Sequence, residues 1–311
     1  EEHVMRIAIM GLGGVGGYYG GKLAFRYAGS GEHKIIFFVR GAHLEAIRSQ
    51  GLKVITPEGE FTAFPTLATD RTAEAGPLDF ILFCVKSYHL EDAARSIMGN
   101  IHESTVILPL LNGVDITERL QKILPGGIVL NGCVYIGSRL KSPGVIHQMG
   151  GSCQIIFGPD RDADTENFRY IEALLREAGI KADLQGGIAV PIWTKYIFID
   201  PLAGLTSMLG KTFGAILADT ESRDMLKGLM QEVERIAIAK RIGLPRDIVE
   251  SSMEKVKSFP YETKTSMQAD YEHARQTEME IFSGYIVKAG KELGVPTPLH
   301  DRVHAELLKR K

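Results

Sequence analysis

The stretch Arg6-Ile7-Ala8-Ile9-Met10-Gly11-Leu12-Gly13-Gly14-Val15-Gly16-Gly17-Tyr18-Tyr19-Gly20 decides the fold. An apolar run, Ile7 to Met10, leads into Gly11-x-Gly13-x-x-Gly16, which reads as a buried strand, a tight turn and a helix start. Gly11 permits the turn, Gly13 lets backbone approach a pyrophosphate, and Gly16 lets the helix lie close to the strand. The pyrophosphate would rest on the free N–H groups of the helix N-terminus. Gly11, Leu12, Gly13, Gly14, Val15 and Gly16 are therefore the expected cofactor cradle. The competing reading is a glycine-rich structural turn.

Outward from this motif, strand-like and helix-like segments alternate. Val15–Tyr27 reads as a helix, Lys34–Val39 as a strand and Ala42–Ser49 as a short helix. Lys53–Leu67, with its Pro57-Glu58-Gly59 turn, suggests a hairpin. Phe80–Val85 is solidly apolar, as a strand covered on both faces should be. Leu90–Met98, Val106–Leu110, Thr117–Ile123 and Ile128–Tyr135 continue the alternation. Val145–Gln148 and Gln154–Phe157 are short strand-like pieces bracketed by glycines, and Phe168–Ala178 and Ile180–Leu184 add a helix and a strand. Such βα alternation predicts an α/β domain with a doubly wound, mostly parallel sheet of Rossmann type. After Gly186-Gly187 the segments become long and helical: Val190–Met208, Arg223–Arg241, Arg246–Lys257, Ala274–Leu293 and Arg302–Lys309. Two domains follow, a dinucleotide-binding domain over 1–187 and an all-helical domain over 188–311.

A chain of 311 residues exceeds a comfortable single core, in keeping with two domains. The net charge of −2, with acids and bases spread along the chain, gives no case for nucleic acid. No apolar stretch is long enough to cross a bilayer, no basic leader precedes an apolar block, and Glu1 to Val4 read as a short overhang. Cys84, Cys133 and Cys153 lie in apolar segments without metal-type spacing, so reduced thiols, no metal and a cytoplasmic setting are expected.

Five places carry candidate chemistry. The second strand ends in Arg40, where an NAD site usually has an acid; a guanidinium there suits a 2′-phosphate and favours NADP(H). Lys86 and Asn112 follow later strands at the carboxyl ends that face the ligand crevice of an open parallel sheet. Lys86 could meet phosphate or carboxylate there, or be a solvated lysine. Asn112 could donate to a carbonyl or ribose oxygen, or simply mark an Asn-Gly turn. Lys195 lies among Trp193, Tyr196 and Phe198, where burial needs a partner or a lowered pKa. It is either the proton donor for a ketone or a lysine snorkelling to solvent. Ser266 offers a hydroxyl near a helix start, and Glu278 or Glu280 could partner a buried lysine.

The ordered set of the glycine turn, Val39-Arg40-Gly41, Cys84-Val85-Lys86-Ser87, Leu111-Asn112-Gly113, Trp193-x-Lys195, Thr265-Ser266-Met267 and Thr277-Glu278 resembles the ketopantoate reductases (2-dehydropantoate 2-reductases) over nearly the whole chain. The resemblance implies an NADP-dependent oxidoreductase that reduces 2-dehydropantoate to (R)-pantoate on the route to pantothenate and coenzyme A. It implies Lys195 as catalytic lysine and substrate contact, and Glu278 as the acid near that lysine and the nicotinamide ribose. It further implies Asn112 beside nicotinamide and substrate, Ser266 on the substrate carboxylate, Lys86 at the crevice and Arg40 on the 2′-phosphate of NADPH. In place of asparagines that the family often carries four and eight residues after the lysine stand Ile199 and Ala203. A site lacking two amide donors could take a related 2-oxo acid or another carbonyl compound. A non-catalytic NADP(H)-binding sensor is the alternative from another class. Helical second domains of this kind often pair, which would give a homodimer.

Overall fold

A computed structural model describes residues 4–159 and 164–310; most of the expected overhang, residues 1–3, lies outside them. The chain divides into two compact units, Glu1–Leu111 with Asp115–Ile188, and Ala189–Lys311 with the short segment Asn112–Val114. Among the described residues no helix is long and apolar enough to cross a membrane.

In chain order the first unit contains β1 (Arg6–Met10), α1 (Gly14–Leu23), β2 (Lys34–Phe38), α2 (Gly41–Gln50), β3 (Leu52–Thr56), β4 (Gly59–Ala63), β5 (Leu67–Thr69) and β6 (Phe80–Phe83). It continues with α3 (Leu90–Ser96), β7 (Val106–Pro109), α4 (Ile116–Ile123), β8 (Ile128–Val129), β9 (Asn131–Ser142), β10 (Val145–Gly158), α5 (Arg169–Glu177) and β11 (Lys181–Leu184). Six strands form a parallel sheet in the order β5-β2-β1-β6-β7-β8. Counting those strands alone, this is the 3-2-1-4-5-6 order of dinucleotide-binding sheets. The solid apolar runs are explained by two-sided burial. Ile7, Ile9, Phe37, Leu82 and Leu108 fill one face, and Ala8, Ile36, Ile81 and Ile107 on the other are buried as well.

The remaining strands build a second sheet, β11-β10-β3-β4, with β9 antiparallel to β10. The two short pieces expected around Gly150 are one long strand, β10, whose register shifts between Gln148 and Gln154. Helix α1 lies between the two sheets, and its glycines explain how. A side chain at Gly16 or Gly20 would strike Gly11 and Cys84, or Ile9 and Phe37, on the parallel sheet. A side chain at Gly14, Gly17 or Gly21 would strike Ser138, Ile146 or Val54 on the second. One core joins Ile9, Tyr19, Leu23, Val54, Ile146 and Phe157 across both sheets.

The second unit holds α6 (Ala189–Leu209), α7 (Phe213–Ala218), α8 (Thr220–Ala239), α9 (Ile248–Lys257), α10 (Ser266–Glu272), α11 (Ser283–Leu293) and α12 (Pro298–Leu308). The helix expected over Ala274–Leu293 starts only at Ser283; before it come a positive φ of 51° at Ala274 and a single 3-10 turn, Met279–Ile281. Helix α6 carries Pro201 in its interior, which removes one N–H from the ladder. Side chains tie α6 at that weak point. Asp200 meets His300 Nε2 at 2.8 Å, and His300 Nδ1 meets Glu232 on α8 at 2.6 Å, all three buried. The Glu232 carboxylate also accepts from the N–H groups of Leu299 and His300, each at 2.9 Å, capping α12.

Candidate active site

In the first unit the expected cofactor elements are the turn after β1 and the end of β2. Gly11 takes a φ of +93°, which permits the turn, and donates its N–H to Phe38 O at 3.3 Å. Gly13 caps α1 through its carbonyl, which accepts from Gly17 N at 2.8 Å. No acidic side chain stands in the first turn of α1, so its unpaired N–H groups keep their positive end. A Cβ on Gly13 would meet nothing within 4 Å, which leaves open space over the turn. Open approach at Gly13 and close packing at Gly16 are what a pyrophosphate cradle needs. Arg40 stands at the N-cap position of α2, is exposed, and its side chain makes no hydrogen bond or ion pair among the described residues. An anion-ready helix end and an accessible guanidinium thus fit a phosphorylated dinucleotide. Lys86, half-buried, follows β6 and leads into a 3-10 turn, Ser87–His89.

In the second unit Lys195 Nζ donates to Asn112 Oδ1 at 2.8 Å. Lys195 is half-buried on α6, between buried Trp193 and buried Tyr196. Glu278 is only 6% exposed and leads the 3-10 turn Met279–Ile281. Tyr196, next to Lys195, donates its hydroxyl to the carbonyls of Ile281 at 2.8 Å and Phe282 at 3.1 Å. The backbone segments that carry Lys195 and Glu278 are therefore fastened together by one phenol. Ser266 is exposed at the first position of α10, whose cap is Thr265 Oγ1 accepting from Gln268 N at 3.2 Å. Ile199 is half-buried and Ala203 buried on α6.

The geometry brings Lys195 and Asn112 into contact. Ser266 is placed on a neighbouring helix without a hydrogen bond among the described residues. Sequence reasoning missed five side chains that hold these parts: Tyr196, the linked Asp200, His300 and Glu232, and His43, which bonds Leu12 O and Gly144 N. Each acts on a partner far along the chain, so no local spacing reveals it. Among the described residues no group of histidine, cysteine and acidic side chains could hold a metal ion.

Comparison with known proteins identifies the family and the fold. The profile described as ketopantoate reductase PanE/ApbA matches residues 7–162, and its C-terminal counterpart matches residues 188–311. An uncharacterized oxidoreductase, YkpB, of Bacillus subtilis is 31% identical over 97% of this chain and 98% of its own length. The 2-dehydropantoate 2-reductase of Mesorhizobium japonicum is 28% identical, covering 97% of this chain and 96% of that protein. The crystal structure of 2-dehydropantoate 2-reductase from Porphyromonas gingivalis superposes with a TM-score of 0.86 at 37% identity, over 98% of this chain and 100% of that one. The chain belongs to the PanE/ApbA ketopantoate reductase family of NADPH-dependent oxidoreductases.

Proposed function

We propose that the chain reduces 2-dehydropantoate to (R)-pantoate, a step toward pantothenate and coenzyme A, as a cytoplasmic homodimer. NADPH, when bound, supplies the hydride for the ketone carbon. The turn Gly11–Gly16 and Arg40 hold its phosphates, with Lys86 adding a cation at the same strand ends. Lys195 donates the proton to the ketone oxygen and offsets the charge that develops there. Asn112 directs that proton: its carbonyl oxygen takes one N–H of the ammonium, and its amide stays free to donate to substrate or cofactor. Glu278 keeps the lysine charged, and Ser266 receives the substrate carboxylate. The observation that carries the reading is the 2.8 Å bond from Lys195 to Asn112 on an otherwise apolar helix face.

A second reading, reduction of a related 2-oxo acid, is favoured by one observation: Ile199 and Ala203, on the turns beyond Lys195, offer no hydrogen bond. NADPH oxidation, followed with 2-dehydropantoate and with 2-oxo acids that lack its hydroxyl, separates the two. The first reading expects the highest kcat/KM for 2-dehydropantoate. A tenfold preference for a hydroxyl-free acid would move the assignment to the second, and no oxidation with any of them would defeat both.

A further inference from the structure

His43 is the first-turn side chain of α2, three residues after Arg40. Its Nε2 stands 2.9 Å from the carbonyl of Leu12, inside the glycine turn. Its Nδ1 stands 2.8 Å from the backbone N of Gly144, in the turn between β9 and β10. Both partners are backbone groups with fixed roles, which settles the tautomer. A carbonyl only accepts, so Nε2 carries the proton; an amide N–H only donates, so Nδ1 is bare. The ring is therefore required neutral. A second proton on Nδ1 would face the Gly144 N–H and break that bond. Burial pushes the imidazole below its ordinary value, in spite of the Leu12 carbonyl, which acts the other way.

The Gly144 turn is itself anchored. Its carbonyl accepts from Lys53 N at 2.8 Å, and a side chain in place of its hydrogen would crowd Ala46 of α2. Charged neighbours leave the ring alone: Glu45 pairs with Arg48 at 3.8 Å on α2, and Lys53 pairs with Glu60 at 2.7 Å across the β3–β4 hairpin. No charged side chain, from α2, β3 or β9, contributes to the shift at His43.

We infer that His43 is a positioning residue for the dinucleotide: its neutral ring fixes the glycine turn to the β9–β10 turn and ties to both the helix that bears Arg40. The inference rests on the proposal that this turn holds NADPH. Because His43 acts on the pyrophosphate cradle, its loss weakens NADPH and NADH alike, and because it acts only when neutral, affinity falls as the ring takes up a proton.

The test is fluorescence titration of NADPH and NADH against the wild type, His43→Asn and His43→Gln. The asparagine keeps an acceptor near the Nδ1 position, the glutamine keeps a donor near Nε2, and neither titrates. Both variants should bind both dinucleotides about tenfold more weakly, the loss expected when a buried backbone group goes unpaired. The NADPH-to-NADH ratio should stay at the wild-type value. With NADH, which has no 2′-phosphate to titrate, wild-type affinity should fall on acidification through the ring's depressed value, which lies below its ordinary 6.5, while the variants stay flat. Variant affinities within twofold of wild type, or the same acid slope in the variants, would overturn the inference. If neither variant folds, a flat wild-type profile for NADH still overturns it. A wild type that binds neither dinucleotide defeats the underlying cofactor reading instead.

Discussion

The ammonium of Lys195 donates to the side-chain carbonyl of Asn112 at 2.8 Å, joining residues 83 positions apart. The bond aims a half-buried cation and spends an amide oxygen on doing so. Removing the acceptor by Asn112→Ala should lower kcat about tenfold or more, a typical share for an aimed proton donor. Asn112→Asp keeps the acceptor and adds a negative charge, which favours the protonated lysine. The alkaline limb of the kcat profile should therefore move to higher pH in Asn112→Asp. Wild-type kcat in Asn112→Ala would show that the contact does not serve catalysis.

The glycines of α1 differ in what a methyl group would meet, and this separates binding from stability. Gly13→Ala meets nothing within 4 Å and keeps an ordinary φ of −73°, so the melting temperature should hold while NADPH affinity drops. Gly17→Ala drives a Cβ into Ile146 and should cost about 1–3 kcal/mol of stability. Thermal melts with and without NADPH read both effects. A large loss of stability in Gly13→Ala would contradict the open approach at that turn.

Arg40 presents an exposed guanidinium at the end of β2. Arg40→Ala should weaken NADPH by at least tenfold and NADH hardly at all, since only NADPH carries the 2′-phosphate. Equal losses in calorimetric titrations would contradict 2′-phosphate recognition. The contrast with His43, where both dinucleotides should suffer together, keeps the two roles distinguishable.

Buried His300 gives the helical unit a pH dependence. Burial pushes the imidazole down, but the Asp200 and Glu232 carboxylates outweigh it and lift it to about 9. For Glu232, burial raises the carboxyl, yet the bonds from His300 and the α12 backbone hold it below its ordinary value. In the unfolded chain His300 titrates near its ordinary 6.5. Its contribution is thus fully present below that pH and is lost as pH rises through about 9. The Glu232 contribution has the opposite sign, present above its ordinary 4.5 and lost as pH falls through the depressed folded value. The gap in melting temperature between wild type and His300→Gln should shrink steadily from about pH 6.5 to about pH 9. A gap that does not change with pH would mean His300 is not charged in the folded protein.

The sequence made the first strand, the glycine turn and the helical second half readable because each rests on local pattern. Ile7–Met10 followed by Gly11 needs only its neighbours to be understood. The second sheet was not readable, since β10 pairs not only with its neighbour β9 but also with β3, a distant segment. The extra glycines of α1 stayed unexplained until Val54, Ile146 and Ser138 came to lie against them. Around the site, Lys195, Asn112 and Glu278 could be named from motifs. Tyr196 could not, because its partners are the carbonyls of Ile281 and Phe282, in a turn where periodicity suggested continuous helix. Asp200 likewise has no local sign of its role, since His300 meets it from 100 residues away.

Lys195 as the proton donor is the central claim, and Lys195→Ala tests it most directly. The measurement is kcat for NADPH oxidation with 2-dehydropantoate, paired with the NADPH dissociation constant of the same variant. The account predicts a dissociation constant within a few-fold of wild type and a kcat reduced by about a thousandfold or more. A variant that binds NADPH normally and keeps most of its turnover would contradict it.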